Sequence, residues 1–259
     1  MAQVTSYAAG TPSWVDLMTS DPEGARGFYG QLFGWEYDIG PAETGHYAIC
    51  KLHGQNVAGI GGETAPQGMT TAWTTYIATD DADGAAKRVH DAGGRLNMEP
   101  MDVLDQGRMA IAADPTGAVF GLWQARSHIG ASLVNEPGAM IWNELATRDL
   151  DAARAFYTAV FGYDWEDVDT GGGPRYATFL VGGRMVGGAL QMNEQFPADT
   201  PSHWTVYFVV EDTDATASTA QRLGGGVNSP PMDSPYGRFT NLRDPQGGAF
   251  TALRVPDES

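Results

Sequence analysis

Two carboxylates stand at matched places in the chain: Asp16 in Trp14-Val-Asp16 and Glu144 in Trp142-Asn-Glu144. Two tyrosines are matched in the same way, Tyr76 in Trp73-Thr-Thr-Tyr76 and Tyr207 in Trp204-Thr-Val-Tyr207. All four runs read as strands, in which residues two apart share a face. One face then carries Trp14, Asp16 and Met18, and its counterpart Trp142, Glu144 and Ala146. Thr74, Tyr76 and Ala78 form a third such set, and Thr205, Tyr207 and Val209 a fourth. An acid walled by tryptophan and methionine has a raised pKa unless a donor such as a phenol satisfies it. An acid–phenol pair there serves as a general base with an orienting donor, or as an anchor for a ligand hydroxyl. Equally, it closes the floor of a fold and satisfies two buried polar groups. Asp16, Tyr76, Glu144 and Tyr207 are therefore the candidate catalytic residues, with Trp14, Thr74, Trp142 and Thr205 as candidate ligand contacts. Arg108 and Arg238 each follow a glycine at equivalent points. At the mouth of a site they would pair with a ligand carboxylate or phenolate; on the surface they would form salt bridges.

These residues are placed by a long internal repeat. Residues 14–35 return as residues 142–163, with Trp, Leu, Thr, Asp, Ala, Arg, Phe-Tyr and Phe-Gly in step. Each copy reads as a strand and then a helix. Asp21 and Asp149 fall at the N-cap, Pro22 at the first helical position, and Gly34 and Gly162 at the stop. Phe28 and Leu32 lie on the apolar stripe between them. Second units start at Trp73 and Trp204 and pass through a helix to Gly93-Gly94 and Gly224-Gly225. They close on turns at Asp114-Pro-Thr-Gly and Asp244-Pro-Gln-Gly. The order A, B, A′, B′ predicts an α+β fold of four βαβββ modules. The first domain spans 8–127 (modules about 10–63 and 70–127) and the second 137–256 (modules about 138–193 and 201–256). Residues 125–137 join them, and which modules pair is left open.

A chain of 259 residues, 42% of them hydrophobic, has material for two cores. Its net charge of −17 argues against nucleic acid or an anionic membrane as partner, since both need clustered Lys and Arg. One cysteine, Cys50, allows no internal disulfide and no cysteine-based zinc cluster, so a cytoplasmic setting is expected. The first residues lack the pattern of a signal peptide, and no apolar run reaches the length of a membrane span. No GxGxxG after a strand, Walker A, GxSxG or HExxH occurs. The expected partner is a small-molecule ligand, and the chain is expected to be a monomer or homodimer.

The two strand–Asp–helix–Phe-Tyr–Phe-Gly openings and the two Asp-Pro-x-Gly hairpins resemble the vicinal oxygen chelate superfamily. That superfamily includes glyoxalase I, extradiol dioxygenases and bleomycin-resistance proteins. The resemblance covers about residues 10–127 and 137–255, and is narrower to two-domain actinobacterial proteins labelled glyoxalase-like or hydroxylase. It implies paired modules forming open cups, with helices outside and the ligand inside. Metal-dependent members place His or Gln on the first strand of each module and Glu on the last. Carried over by position, these fall on Trp14, Trp142, Thr74, Thr205, Gly121 and Thr251, none of them a strong metal ligand. His46, His53, His90 and His128 read as surface histidines. His203 shares a face with Thr205 and Tyr207, within the approach of Glu144, but finds no third ligand. Tyr47, Trp73, Trp123, Tyr176, Trp204 and Tyr236 either flank a flat ligand or pack a core. The expectation is thus metal-independent and cofactor-independent binding of a small aromatic or polycyclic molecule, in antibiotic sequestration or an accessory step of secondary metabolism. The alternative is a cofactor-independent lyase, isomerase or hydroxylation-related enzyme with Asp16 or Glu144 as base.

Overall fold

A computed structural model describes residues 2–62 and 70–256; Met1 and residue 63, the last of the expected first module, lie outside the described residues. Strand β1 (Ala2–Gln3) precedes the first domain. Its first module runs through β2 (Pro12–Met18), α1 (Pro22–Phe33), β3 (Glu36–Ile39), β4 (Ala48–Leu52) and β5 (Gln55–Gly61). The second comprises β6 (Ala72–Ala78), α2 (Ala82–Asp91), β7 (Arg95–Val103), β8 (Gly107–Ala113) and β9 (Val119–Ala125). Strand β10 (Leu133–Val134), paired with β1, leads into the second domain. There the third module is β11 (Met140–Thr147), α3 (Leu150–Phe161), β12 (Asp164–Val168), β13 (Tyr176–Val181) and β14 (Arg184–Gln191). The fourth is β15 (His203–Val209), α4 (Thr213–Arg222), β16 (Gly226–Ser234), β17 (Gly237–Arg243) and β18 (Ala249–Arg254). No helix among the described residues is long and apolar enough to cross a membrane.

The helices begin and end where their caps dictate. Asp21 Oδ1 accepts from Gly24 N at 2.9 Å, and Asp149 Oδ1 from Ala152 N at 3.0 Å. Each satisfies an amide that has no partner within its own helix. Gly34 and Gly162 both adopt φ of 74°, the left-handed stop that glycine reaches without strain.

Each domain is one eight-stranded mixed sheet, ordered β3-β4-β5-β2-β6-β9-β8-β7 and β12-β13-β14-β11-β15-β18-β17-β16. Modules therefore pair within a half, through antiparallel β2–β6 and β11–β15. The helical sides pair the other way. One core joins Phe28, Tyr29 and Phe33 of α1 to Phe208, Ala217 and Phe250 of the fourth module. The other joins Ala85 and Phe120 of the second module to Phe156 and Tyr157 of α3.

The repeated motifs hold this crossed packing. Tyr29 Oη donates to Asp244 Oδ2 at 3.0 Å and receives Trp73 Nε1 at 3.0 Å. Tyr157 Oη donates to Asp114 Oδ2 at 3.1 Å and receives Trp204 Nε1 at 3.0 Å. Oδ1 of each aspartate accepts amides of its own Asp-Pro-x-Gly turn, Ala118 N at 3.1 Å and Gly248 N at 2.8 Å. Trp73 and Trp204 are thus core residues, not walls of a cup.

Candidate functional site

The floor of each cup lies where its two modules meet. In the first, strand pairing sets Trp14 opposite Tyr76 and Asp16 between Thr74 and Gly59. Tyr76 Oη donates to Asp16 Oδ2 at 3.0 Å, and Tyr47 Oη donates to the same oxygen at 3.2 Å. Trp14 Nε1 in turn donates to Tyr47 Oη at 3.0 Å. The Tyr47 ring lies across Gly59, where any side-chain carbon would strike its hydroxyl. Asp16 Oδ1 is buried without a partner among the described residues. Burial pushes the Asp16 carboxyl up to about 7, against the opposing pull of its bonds from Tyr76 and Tyr47. The same burial holds both phenols well above their ordinary range.

The second cup repeats this floor. Trp142 stands opposite Tyr207, and Glu144 between Thr205 and Gly188. Tyr207 Oη donates to Glu144 Oε1 at 3.0 Å, and Trp142 Nε1 donates to Tyr176 Oη at 3.1 Å. Tyr176 crosses Gly188 as Tyr47 crosses Gly59. Burial raises the Glu144 carboxyl, while hydrogen bonds from Tyr176 and Tyr207 work to lower it.

Above the floor the two cups differ. Trp14, Asp16 and Tyr76 are 4%, 5% and 5% exposed, with Tyr47 half-buried, whereas Trp142, Glu144, Tyr176 and Tyr207 are all half-buried. The inter-domain segment covers the first cup. Arg126 N and His128 N both donate to Gln106 O, at 3.0 and 3.1 Å, and Ala131 N donates to Ser13 O at 2.8 Å. Between these ties the His128 ring stands edge-on to Trp14, centroids 4.5 Å apart, and 5.6 Å from Trp123. Trp123 Nε1 holds His128 O at 2.9 Å. His128 is therefore not a surface histidine: burial lowers its pKa to about 4, and its Nε2 is buried without a partner among the described residues.

Other candidates sit elsewhere. Arg108 donates to Asp83 of α2 at 2.8 Å and to Asp102 at 3.0 Å. Arg238 matches it, bonded to Asp214 of α4 at 2.6 Å and to Asp233 at 3.0 Å. Both share the helix-facing side of their strand with core residues, Ala110 and Leu242, so they do not guard a cup mouth. His203 Nδ1 lies 2.9 Å from Pro201 O and opposite Ala146, while the bonding partners of Glu144 are phenols. Tyr236 is 62% exposed in the β16–β17 turn. Surface depressions of about 660 Å³ beside Arg148 and residues 192–198, and of about 450 Å³ beside α2, lie outside both cups.

A metal centre of the superfamily kind does not fit these residues. Trp14, Trp142, Thr74 and Thr205 occupy the first-strand positions and offer no imidazole or carboxylate. The Glu position of the first cup is Gly121, directly under the Tyr76 ring, where a side-chain carbon would overlap it. Its counterpart, Thr251, donates to Asn241 Oδ1 at 2.7 Å. Among the described residues no three His, Cys, Asp or Glu side chains are grouped to hold an ion.

Three members of the floors and their cover are not expected from the sequence: Tyr47 and Tyr176 as carboxylate partners, and His128. The tyrosines did leave a signal, since each precedes by twelve residues the glycine it crosses, Gly59 or Gly188. His128 left none, because nothing repeats it.

The model of the Glyoxalase/Bleomycin resistance protein/Dioxygenase superfamily matches residues 11–122 and again 128–250. The chain belongs to this superfamily. It is 46% identical over 259 residues to "Putative glyoxylase CFP32" of Mycobacterium tuberculosis, covering 98% of both chains. It is 38% identical over 267 residues to the anthracycline biosynthesis protein DnrV of Streptomyces peucetius, covering 97% of this chain and 96% of that one. Among solved structures, the Mn(II)-bound glyoxalase from Novosphingobium aromaticivorans superposes with a TM-score of 0.63 at 17% identity, over 96% of this chain and 85% of that one. The 2,3-dioxygenase LapB from Pseudomonas sp. KL28 does so with 0.63 at 14% identity, over 98% and 95%. At such identities the likeness is one of fold. The superfamily's architecture is present here; among the described residues a donor set for its metal is not.

Proposed function

We propose that this superfamily member binds a small, flat organic molecule, aromatic or polycyclic, without a metal. The half-open group of Trp142, Glu144, Tyr176 and Tyr207 carries the reading. Its rings offer offset stacking to a planar ligand, and its carboxylate accepts a ligand hydroxyl. The relation to a protein named for anthracycline biosynthesis supports a setting in antibiotic sequestration or an accessory step of secondary metabolism. Native mass spectrometry of the purified protein, with elemental analysis, tests it. The expected result is a co-purified organic mass without stoichiometric transition metal; a stoichiometric metal overturns the proposal.

One observation favours a second reading. Asp16 titrates near neutrality, where a general acid–base catalyst works best. On that reading the chain is a cofactor-independent lyase, isomerase or hydroxylation-related enzyme with Asp16 or Glu144 as base. Asp16→Asn and Glu144→Gln then abolish turnover with the fold intact, and unchanged turnover in both disposes of it.

A further inference from the structure

One row of residues crosses each sheet, and the two rows match position by position. In the second cup, strand register aligns Trp142 with Tyr207, Tyr207 with Thr251, Thr251 with Asn241, and Asn241 with Ser229. In the first cup the same row reads Trp14, Tyr76, Gly121, Ile111 and Met98. It starts alike in both, with a tryptophan and a tyrosine, and then diverges completely. The second cup continues in hydrogen-bonding side chains where the first continues in glycine and aliphatic ones.

These polar residues are bonded to one another. Thr251 Oγ1 donates to Asn241 Oδ1 at 2.7 Å, and Asn241 Nδ2 donates to Ser229 Oγ at 3.0 Å. Thr251 lies fully beneath the surface, and Asn241 is half-buried above it. A primary amide has four hydrogen-bonding positions, and these bonds occupy two. The amide is thus held in place by the protein with a donor and an acceptor to spare. From Trp142 to Asn241 the row crosses three strand spacings, roughly 14 Å. That length suits a fused-ring molecule with polar groups at both edges.

We infer that the second cup alone takes the ligand, and that Asn241 selects for an oxygen substituent at the ligand edge far from Glu144. This rests on the binding reading above and adds which cup binds and what it recognises. His128, seated against Trp14 and Trp123, occupies in the first cup the space that a flat ligand takes in the second.

The test is a titration of the full chain with two flat probes, 2,6-dihydroxyanthracene, with a hydroxyl at each end, and unsubstituted anthracene, monitored by quenching of tryptophan fluorescence. Asn241→Leu is expected to weaken the dihydroxy probe about ten-fold or more and the unsubstituted one less than about three-fold, because only the former leaves a polar group unpaired. Ile111→Trp, which fills the row of the first cup, is expected to leave both affinities unchanged. Where Asn241→Leu does not fold, Asn241→Ser keeps a polar group while losing the amide's reach, and the same loss of selectivity is expected. Weakening by Ile111→Trp with Asn241→Leu silent would place the ligand in the first cup and overturn the inference while leaving the binding proposal standing. Equal weakening of both probes by Asn241→Leu would overturn the selective role. If the wild-type chain bound neither probe, both the binding proposal and this inference would fall.

Discussion

The first cup and the second share a floor and differ in their cover. In both, a tryptophan, two tyrosines and a carboxylate form one hydrogen-bonded group, and in both a glycine makes room for a phenol to reach the acid. Over the first, the segment 126–132 seats His128 on the tryptophan. The half-buried group of the second faces solvent. The cover also changes the electrostatics beneath it. Burial pushes Asp16 up to about 7 and His128 down to about 4, so that between those values it favours the neutral form of each. Matched floors thus support one covered polar group and one more exposed group, and the cover decides which is which.

The tryptophans give the largest expected difference. Trp14→Ala should cost about 3–5 kcal/mol, as for a fully packed aromatic, and Trp142→Ala about half of that or less. Urea denaturation measures both, and equal losses would erase the distinction between a covered and an open cup.

The pH dependence separates the cups next. The folded pKa of Asp16, about 7, lies above its ordinary 3.8, so between those values the unfolded chain loses its proton first and stability falls as pH rises. That of His128, about 4, lies below its ordinary 6.5, so between 4 and 6.5 the unfolded chain binds the extra proton and stability rises with pH. Each slope is at most about 1.4 kcal/mol per unit, and the two oppose across their shared window. Asp16→Asn should therefore unmask a rise in stability between about pH 4.5 and pH 6.5, and His128→Asn a fall. Parallel stability profiles for the two variants would contradict this account of the first cup.

Gly121→Ala should cost about 1–3 kcal/mol by driving a methyl into the Tyr76 ring. Thr251→Ala, at the matching place, should cost about 1 kcal/mol for its lost bond to Asn241. Thermal melts of the two variants show whether the glycine is required. The smallest effect expected is Tyr176→Phe, roughly 0.5 kcal/mol, against about 1–2 kcal/mol for Tyr47→Phe, whose removal leaves a more deeply buried carboxyl with a single donor. Equal costs would mean that the cover over Asp16 does not strengthen its dependence on those donors.

Residue order alone is enough for the modules, because caps, stops and the alternation of apolar residues act over a few residues and recur at matched places. Asp21, Gly34 and the Asp-Pro-x-Gly turns could be read directly, and strand alternation placed Trp14 with Asp16 and Trp142 with Glu144. The remainder depends on contacts between distant segments. Tyr29 meets Asp244 and Tyr157 meets Asp114 across 215 and 43 residues, so the repeated motifs proved to be locks between domains. Arg108 and Arg238 were turned to the helical side by strand parity and captured by acids on α2 and α4. Which modules share a sheet, and that His128 covers one cup, depends on contacts far apart in the chain. Local patterns fix what each segment becomes; burial, and with it the charge of Asp16 and the openness of Glu144, exists only once the segments meet.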